Sequence, residues 1–96
     1  MPVWDEQKRL RNLRLHGLDF ADAEAIWERA TVTVEDIRHD YGEPRWVTFG
    51  ILRGTIIVLV HTERGDDDRY ISLRRADRYE TNFYFEATES TDVRGH

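Results

Sequence analysis

The sequence predicts an α+β domain in the order α-α-β-β-β-β-α, with an antiparallel four-stranded sheet. Three observations carry that reading. Apolar residues recur at helical spacing before Thr31, β-branched and aromatic residues alternate from there to Arg74, and helical spacing returns from Arg75. The short connections between the later strands favour a meander over parallel crossovers.

Asp5 is placed to cap a first helix running to Leu15, with Leu10 and Leu13 as its apolar positions and Gly17 as its left-handed stop. Asp19 caps a second helix, in which Phe20, Ala23, Ile26, Trp27 and Ala30 form a buried stripe. Thr31 to Val34 alternates as a short strand, and Gly42-Glu43-Pro44 closes the loop after it. A second strand is expected over Arg45 to Leu52, followed by a tight turn at Arg53-Gly54. Thr55 to Arg64 is then a central strand whose two faces, Ile56/Val58/Val60 and Ile57/Leu59, are both apolar. Such a strand needs cover on both sides, by the early helices on one and the C-terminal helix on the other. Gly65 to Asp68 makes the next turn and Arg69 to Arg74 the last strand. Arg75 to about Ala87 is the third helix, with Ala76, Tyr79 and Phe83 inward. Residues 1–87 form one domain and 88–96 a disordered tail.

At 96 residues with 40% hydrophobic side chains, the chain supports one modest core. It has no cysteine, which excludes disulfides, thiolate zinc sites and cysteine nucleophiles and suits a reducing cytosol. The first eight residues lack the apolar core of a signal peptide, and Ile56 to Val60 is too short to span a bilayer, so no membrane partner is expected. Nineteen acidic against fourteen basic side chains give a net charge of −5, which argues against nucleic-acid binding by bulk charge. The cations are clustered, however, at Lys8, Arg9, Arg11 and Arg14 and again at Arg64, Arg69, Arg74, Arg75 and Arg78. A local phosphate site inside an acidic whole is compatible with this.

His39-Asp40 has the look of a metal phosphohydrolase fragment, but further histidine ligands at suitable spacing are missing. Asp66-Asp67-Asp68 lacks the spacing of a calcium loop. No glycine-rich phosphate loop or nucleophilic serine motif is present, and neither a metal nor another cofactor is expected.

Trp4-Asp5-Glu6 with Lys8 and Asn12, His16-Gly17 with Phe20, His61-Thr62-Glu63-Arg64-Gly65 and Ile71-Ser72-Leu73-Arg74-Arg75-Ala76 occur in one order across residues 3 to about 86. Together they resemble the BrnT family of type II toxins. The resemblance implies a RelE-like fold, cytoplasmic ribonuclease activity, and a BrnA-like antitoxin through which alone operator DNA is bound, with room for a dimer in that complex. The chain has Leu15 where family members usually carry lysine and Leu73 where they carry alanine, and its third helix is less basic.

RNA cleavage, which the resemblance implies, carried out without the metal for which ligands are missing, needs a base for the ribose 2′-hydroxyl, an acid for the leaving oxygen and cations for the charged phosphorane. Arg64 and Arg74 are the expected cations, since a guanidinium pairs with two phosphate oxygens. They converge only if the sheet curves or the third helix folds Arg74 back. Lys8, Asn12 and His16 fall at i, i+4 and i+8 on one helical stripe, with Lys8 and His16 as proton-transfer candidates and Asn12 as a substrate contact. Arg69, Arg75 and Tyr84 complete the expected substrate contacts, with a core position as the alternative for Tyr84. His61 is read as a satisfied, partly buried histidine. The competing functional class is an inert partner-binding module that serves as a co-repressor with the antitoxin.

Overall fold

The computed structural model describes residues 2–94, with side chains for 2–89. Pro2–Val3 forms a two-residue strand, β1, and Asp5 then accepts the Gln7 N–H at 2.8 Å to start α1 (Glu6–His16). Gly17, at φ +69°, ends the helix by donating its N–H to the Leu13 carbonyl. Asp19 caps the next segment as expected, but Phe20–Glu28 is a 3-10 helix rather than an α-helix. Its buried residues Phe20, Ala23 and Ile26 are fully inaccessible and spaced by three, which matches the three residues per turn of that helix.

The strands are β2 (Val32–Glu35), β3 (Trp46–Leu52), β4 (Thr55–Arg64) and β5 (Asp67–Arg75), followed by α2 (Arg78–Arg94). The sheet order is β1-β5-β4-β3-β2, with β1 parallel to β5 and the remaining pairs antiparallel. The expected four-stranded antiparallel sheet is therefore a five-stranded mixed one. Two residues are too few for any alternation to reveal β1 in the sequence. Arg53 and Gly54 both adopt positive φ, the geometry of a two-residue hairpin that matches strand twist. Asp67 and Asp68 belong to β5, so the next turn is Gly65-Asp66 rather than the longer Gly65 to Asp68.

Both faces of β4 are covered. Ile57 and Leu59 pack with the 3-10 helix, Tyr70 and Leu73, whereas Ile56 and Val58 pack with Phe49 and Tyr84. The 3-10 helix sits so close to β3 that a Cβ on Gly50 would meet the Ile26 Cβ at 3.0 Å. On α2 the inward residue is Tyr84, 2% exposed, while Tyr79 is 84% and Phe83 41% exposed. Of the expected inward set, Ala76 packs on the core just before the helix and Phe83 meets Phe49 edge to face at 5.2 Å, whereas Tyr79 points out and Tyr84 takes the buried position. The helix also runs on to Arg94, well past Ala87, so the backbone of the expected tail is helical that far, and residues 95–96 lie outside the described part.

Candidate active site

The α2 side of the sheet gathers three arginines at the end where β4 turns into β5. Thr62 pairs with Arg69, Trp46 pairs with His61, and the Thr62 hydroxyl donates to the Pro44 carbonyl, so Arg45, Thr62 and Arg69 make one row across three chain segments. Arg64 stands one step further along the same face of β4, since side chains alternate. It forks onto Glu43, with Nε–Oε2 3.1 Å and Nη2–Oε1 3.0 Å. The Arg64 hydrogen bonds, helped by the positive charges of Arg45 and Arg69, hold the Glu43 carboxyl below its ordinary range, so it is a carboxylate at neutral pH. The Arg45 guanidinium lies 3.9 Å from the centre of the Tyr41 ring, and Tyr41 meets His39 edge to face at 5.7 Å.

The Nε atoms of Arg45 and Arg69 are both shut off from solvent and have no hydrogen-bond partner among the described residues. A buried guanidinium donor without an acceptor costs free energy, and an anion seated on the cluster would supply one. Glu43 also lines a cavity of about 390 Å³, together with His39, Tyr41 and three further carboxylates, Glu35, Asp36 and Asp40, and without any of the three arginines. Glu43 therefore has the guanidinium groups on one side and, across the cavity lining, an imidazole and a phenol on the other, with Arg45 against the Tyr41 ring as the second link between the two groups. These are the groups that transesterification at phosphorus uses: a proton acceptor, a cradle for negative charge and proton donors.

The structure does not unite the four expected catalytic residues. Arg64 pairs with Asp67 and Val58 with Arg74, so six residues of β4 separate the two arginines, about 20 Å at 3.3 Å per residue. Arg74 instead grips Glu80 with two hydrogen bonds of 2.7 Å. Glu80 also accepts the Asp77 N–H at 2.9 Å while Asp77 accepts the Glu80 N–H at 2.8 Å, a reciprocal cap that starts α2. Lys8 and His16 line a separate groove of about 180 Å³ along the β5 edge, with Arg11, Leu15, Ile71 and Ser72.

Among the expected substrate contacts only Arg69 joins the arginine cluster. Asn12 is 6% exposed, its amide nitrogen donating to the carbonyls of Leu73 (2.8 Å) and Leu18 (3.0 Å) and its oxygen accepting the Leu73 N–H (3.0 Å). That side chain clamps α1 to β5. Arg75 donates to the His16 carbonyl at 2.8 Å and closes the end of α1. Tyr84 is core, its hydroxyl donating to the Ala30 carbonyl at 2.7 Å. His61 is buried with both ring nitrogens engaged, Nε2 with Thr48 and Nδ1 with Asp68, each at 2.7 Å, as expected of a satisfied histidine.

Sequence reasoning missed Glu43, Arg45 and Tyr41, and it weighed His39 only as a metal ligand. Their one signal is the density of His39, Tyr41, Glu43 and Arg45 in a loop of seven residues that reads as a connection. Among the described residues no three His, Cys, Asp or Glu side chains gather as metal ligands, and no helix is long and apolar enough to cross a membrane.

A family model described as the ribonuclease toxin BrnT of a type II toxin-antitoxin system matches residues 4–80, a span that contains the whole arginine cluster. No curated protein matches the chain.

Proposed function

Because the chain belongs to the BrnT family of ribonuclease toxins of type II toxin-antitoxin systems, we propose that it is a metal-independent endoribonuclease whose cleavage centre is the Glu43, Arg45, Arg64 and Arg69 cluster. The observation that carries the reading is the three guanidinium groups about one carboxylate, two of them with an unpaired buried Nε. A scissile phosphate competes with Glu43 for Arg64. As Arg64 turns to the phosphate, the carboxylate is freed to accept the 2′-hydroxyl proton. The O2′–P bond forms and the P–O5′ bond breaks, while Arg45, Arg64 and Arg69 hold the equatorial oxygens. His39 or Tyr41 returns a proton to the 5′-oxygen, leaving a 2′,3′-cyclic phosphate and a 5′-hydroxyl. On this reading Arg74 orients the start of α2, and Lys8 and His16 act elsewhere. The fold is RelE-like, and a BrnA-like antitoxin neutralises the toxin and carries the complex to operator DNA.

A short RNA incubated with the protein in EDTA tests this. Cleavage to a cyclic phosphate is expected, with kcat lowered about 100-fold or more in Glu43→Gln and Arg64→Ala at unchanged circular dichroism. Intact RNA at high protein concentration, or wild-type rates in both variants, refutes it. The inert co-repressor reading has one observation in its favour: Arg64 and Arg74 are each already engaged by a carboxylate. It predicts intact RNA together with undiminished antitoxin and operator binding.

A further inference from the structure

The groove between α1 and the β5 edge is not used by the proposed cleavage centre, and its chemistry differs from that centre. Lys8, Arg11 and Leu15 share one side of α1, because residues three, four and seven apart stack on a helix. Leu15 is 70% exposed. Opposite them, a register shift in the β4–β5 ladder leaves Ile71 unpaired between Tyr70, which faces His61, and Ser72, which faces Val60. That bulge sets an apolar residue on the other wall of the groove. Among the described residues neither Lys8 nor Arg11 is ion-paired, and nor is Arg14 one turn along, in a chain of net charge −5.

Cations beside exposed Leu15 and half-buried Ile71, with the His16 imidazole and no Phe, Tyr or Trp in the lining, do not make a platform on which successive RNA bases stack. Strand addition is also blocked at Leu73, whose N–H and carbonyl are both taken by Asn12. What remains is docking through side chains, as when an amphipathic segment lies in a groove. We propose that the α1–β5 groove receives an acidic segment of the antitoxin, its carboxylates on Lys8 and Arg11 and its apolar side chains between Leu15 and Ile71. An acidic segment is repelled by the net charge of the molecule and attracted here, where the cations have no carboxylate to pair with among the described residues, unlike Arg64, which Glu43 already holds. This rests on the toxin-antitoxin reading above, and it places a partner surface apart from the cleavage centre.

The test compares wild type with the double variant Arg11→Glu, Leu15→Ser, both exposed positions, against the purified antitoxin encoded beside this chain. Titration calorimetry at physiological salt is expected to show affinity falling about 100-fold or more. RNA cleavage by the free variant stays at the wild-type rate. Arg11→Gln alone gives a smaller loss and a shallower dependence of affinity on salt. Wild-type affinity in the double variant overturns the proposal, as does loss of cleavage with antitoxin binding intact, which assigns the groove to RNA. Failure of the wild-type protein itself to bind the antitoxin overturns the toxin-antitoxin reading as well, so the two failures are told apart.

Discussion

Replacing Asn12 with alanine removes three hydrogen bonds at once, two of them to the N–H and carbonyl of Leu73, a fully buried residue. Each buried group left without a partner costs about 1–3 kcal/mol. The Leu18 carbonyl, in a partly buried position, is more readily satisfied by water. Two orphaned groups therefore amount to a loss of about 3 kcal/mol, a large share of the roughly 5–15 kcal/mol that holds a domain together. At about 4–8 °C per kcal/mol for a domain of this size, the melting midpoint falls by roughly 12 °C or more. Urea unfolding followed by circular dichroism gives the free energy, and cleavage kinetics on the still-folded variant at low temperature give KM. Loss of stability with unchanged KM is the expected pattern. A stability change below about 1 kcal/mol at an unchanged urea slope refutes the clamp, and a raised KM with wild-type stability returns Asn12 to the substrate.

Tyr84→Phe deletes only the hydroxyl that donates to the Ala30 carbonyl, so stability drops by about 1 kcal/mol while the cleavage rate is unchanged; a slower rate with wild-type stability puts Tyr84 back at the substrate. Acid sensitivity follows from the carboxylates. Glu43 and Glu80 have folded-state pKa values below the ordinary 4.5, through Arg64 and Arg74 respectively, and those of Asp19 and Asp36 lie below 3.8, through Arg9 and Arg38. Their stabilisation is fully present above those ordinary values and is lost as pH falls through the lowered ones. Melting midpoints that are flat from pH 7 to 5 and fall below about pH 4.5 are expected, with a smaller fall in Glu80→Gln. A midpoint that holds down to pH 3 contradicts the ion-pair geometry.

Much of the fold was legible because its signals are local. The period of three in Phe20, Ala23 and Ile26 announces a buried helical face, although it takes the coordinates to show that the helix is 3-10. Arg53-Gly54 needs only its own two residues to specify a hairpin. The faces of β4 follow from alternation, and the layers of core on either side agree with it. The site was less legible because it depends on register. Arg64 and Arg74 sit on strands that are neighbours, yet a hairpin aligns the end of one strand with the start of the next, so residues near opposite ends of the ladder stay apart. Arg45 reaches Arg69 only across β4, and no spacing within the chain encodes that row. Asn12 misled for a different reason. A polar residue on a helical stripe reads as solvent-facing or functional, whereas here it replaces the missing ladder partner of an edge strand.

The acidic balance of the chain and a phosphate-handling site are reconcilable once the charges are placed. Five of the carboxylates, Glu6, Asp19, Asp22, Asp36 and Glu80, are held by arginines outside the proposed cleavage centre, and Asp68 is bonded to His61. Two of these arginines bind elements to one another: Arg9 ties α1 to the cap of the 3-10 helix, and Arg74 ties β5 to the start of α2. At the end of the β4–β5 hairpin, which also carries Glu63, Asp66, Asp67 and Asp68, Arg45 and Arg69 add their charge to Glu43, a carboxylate that Arg64 already pairs. Beyond about 8 Å physiological salt screens the remaining acidic surface, whereas contacts made inside that distance persist. On the proposed reading, placement of the cations rather than net charge decides whether a phosphate is held, and the arginine row offers donors where the unpaired Nε atoms already lack an acceptor.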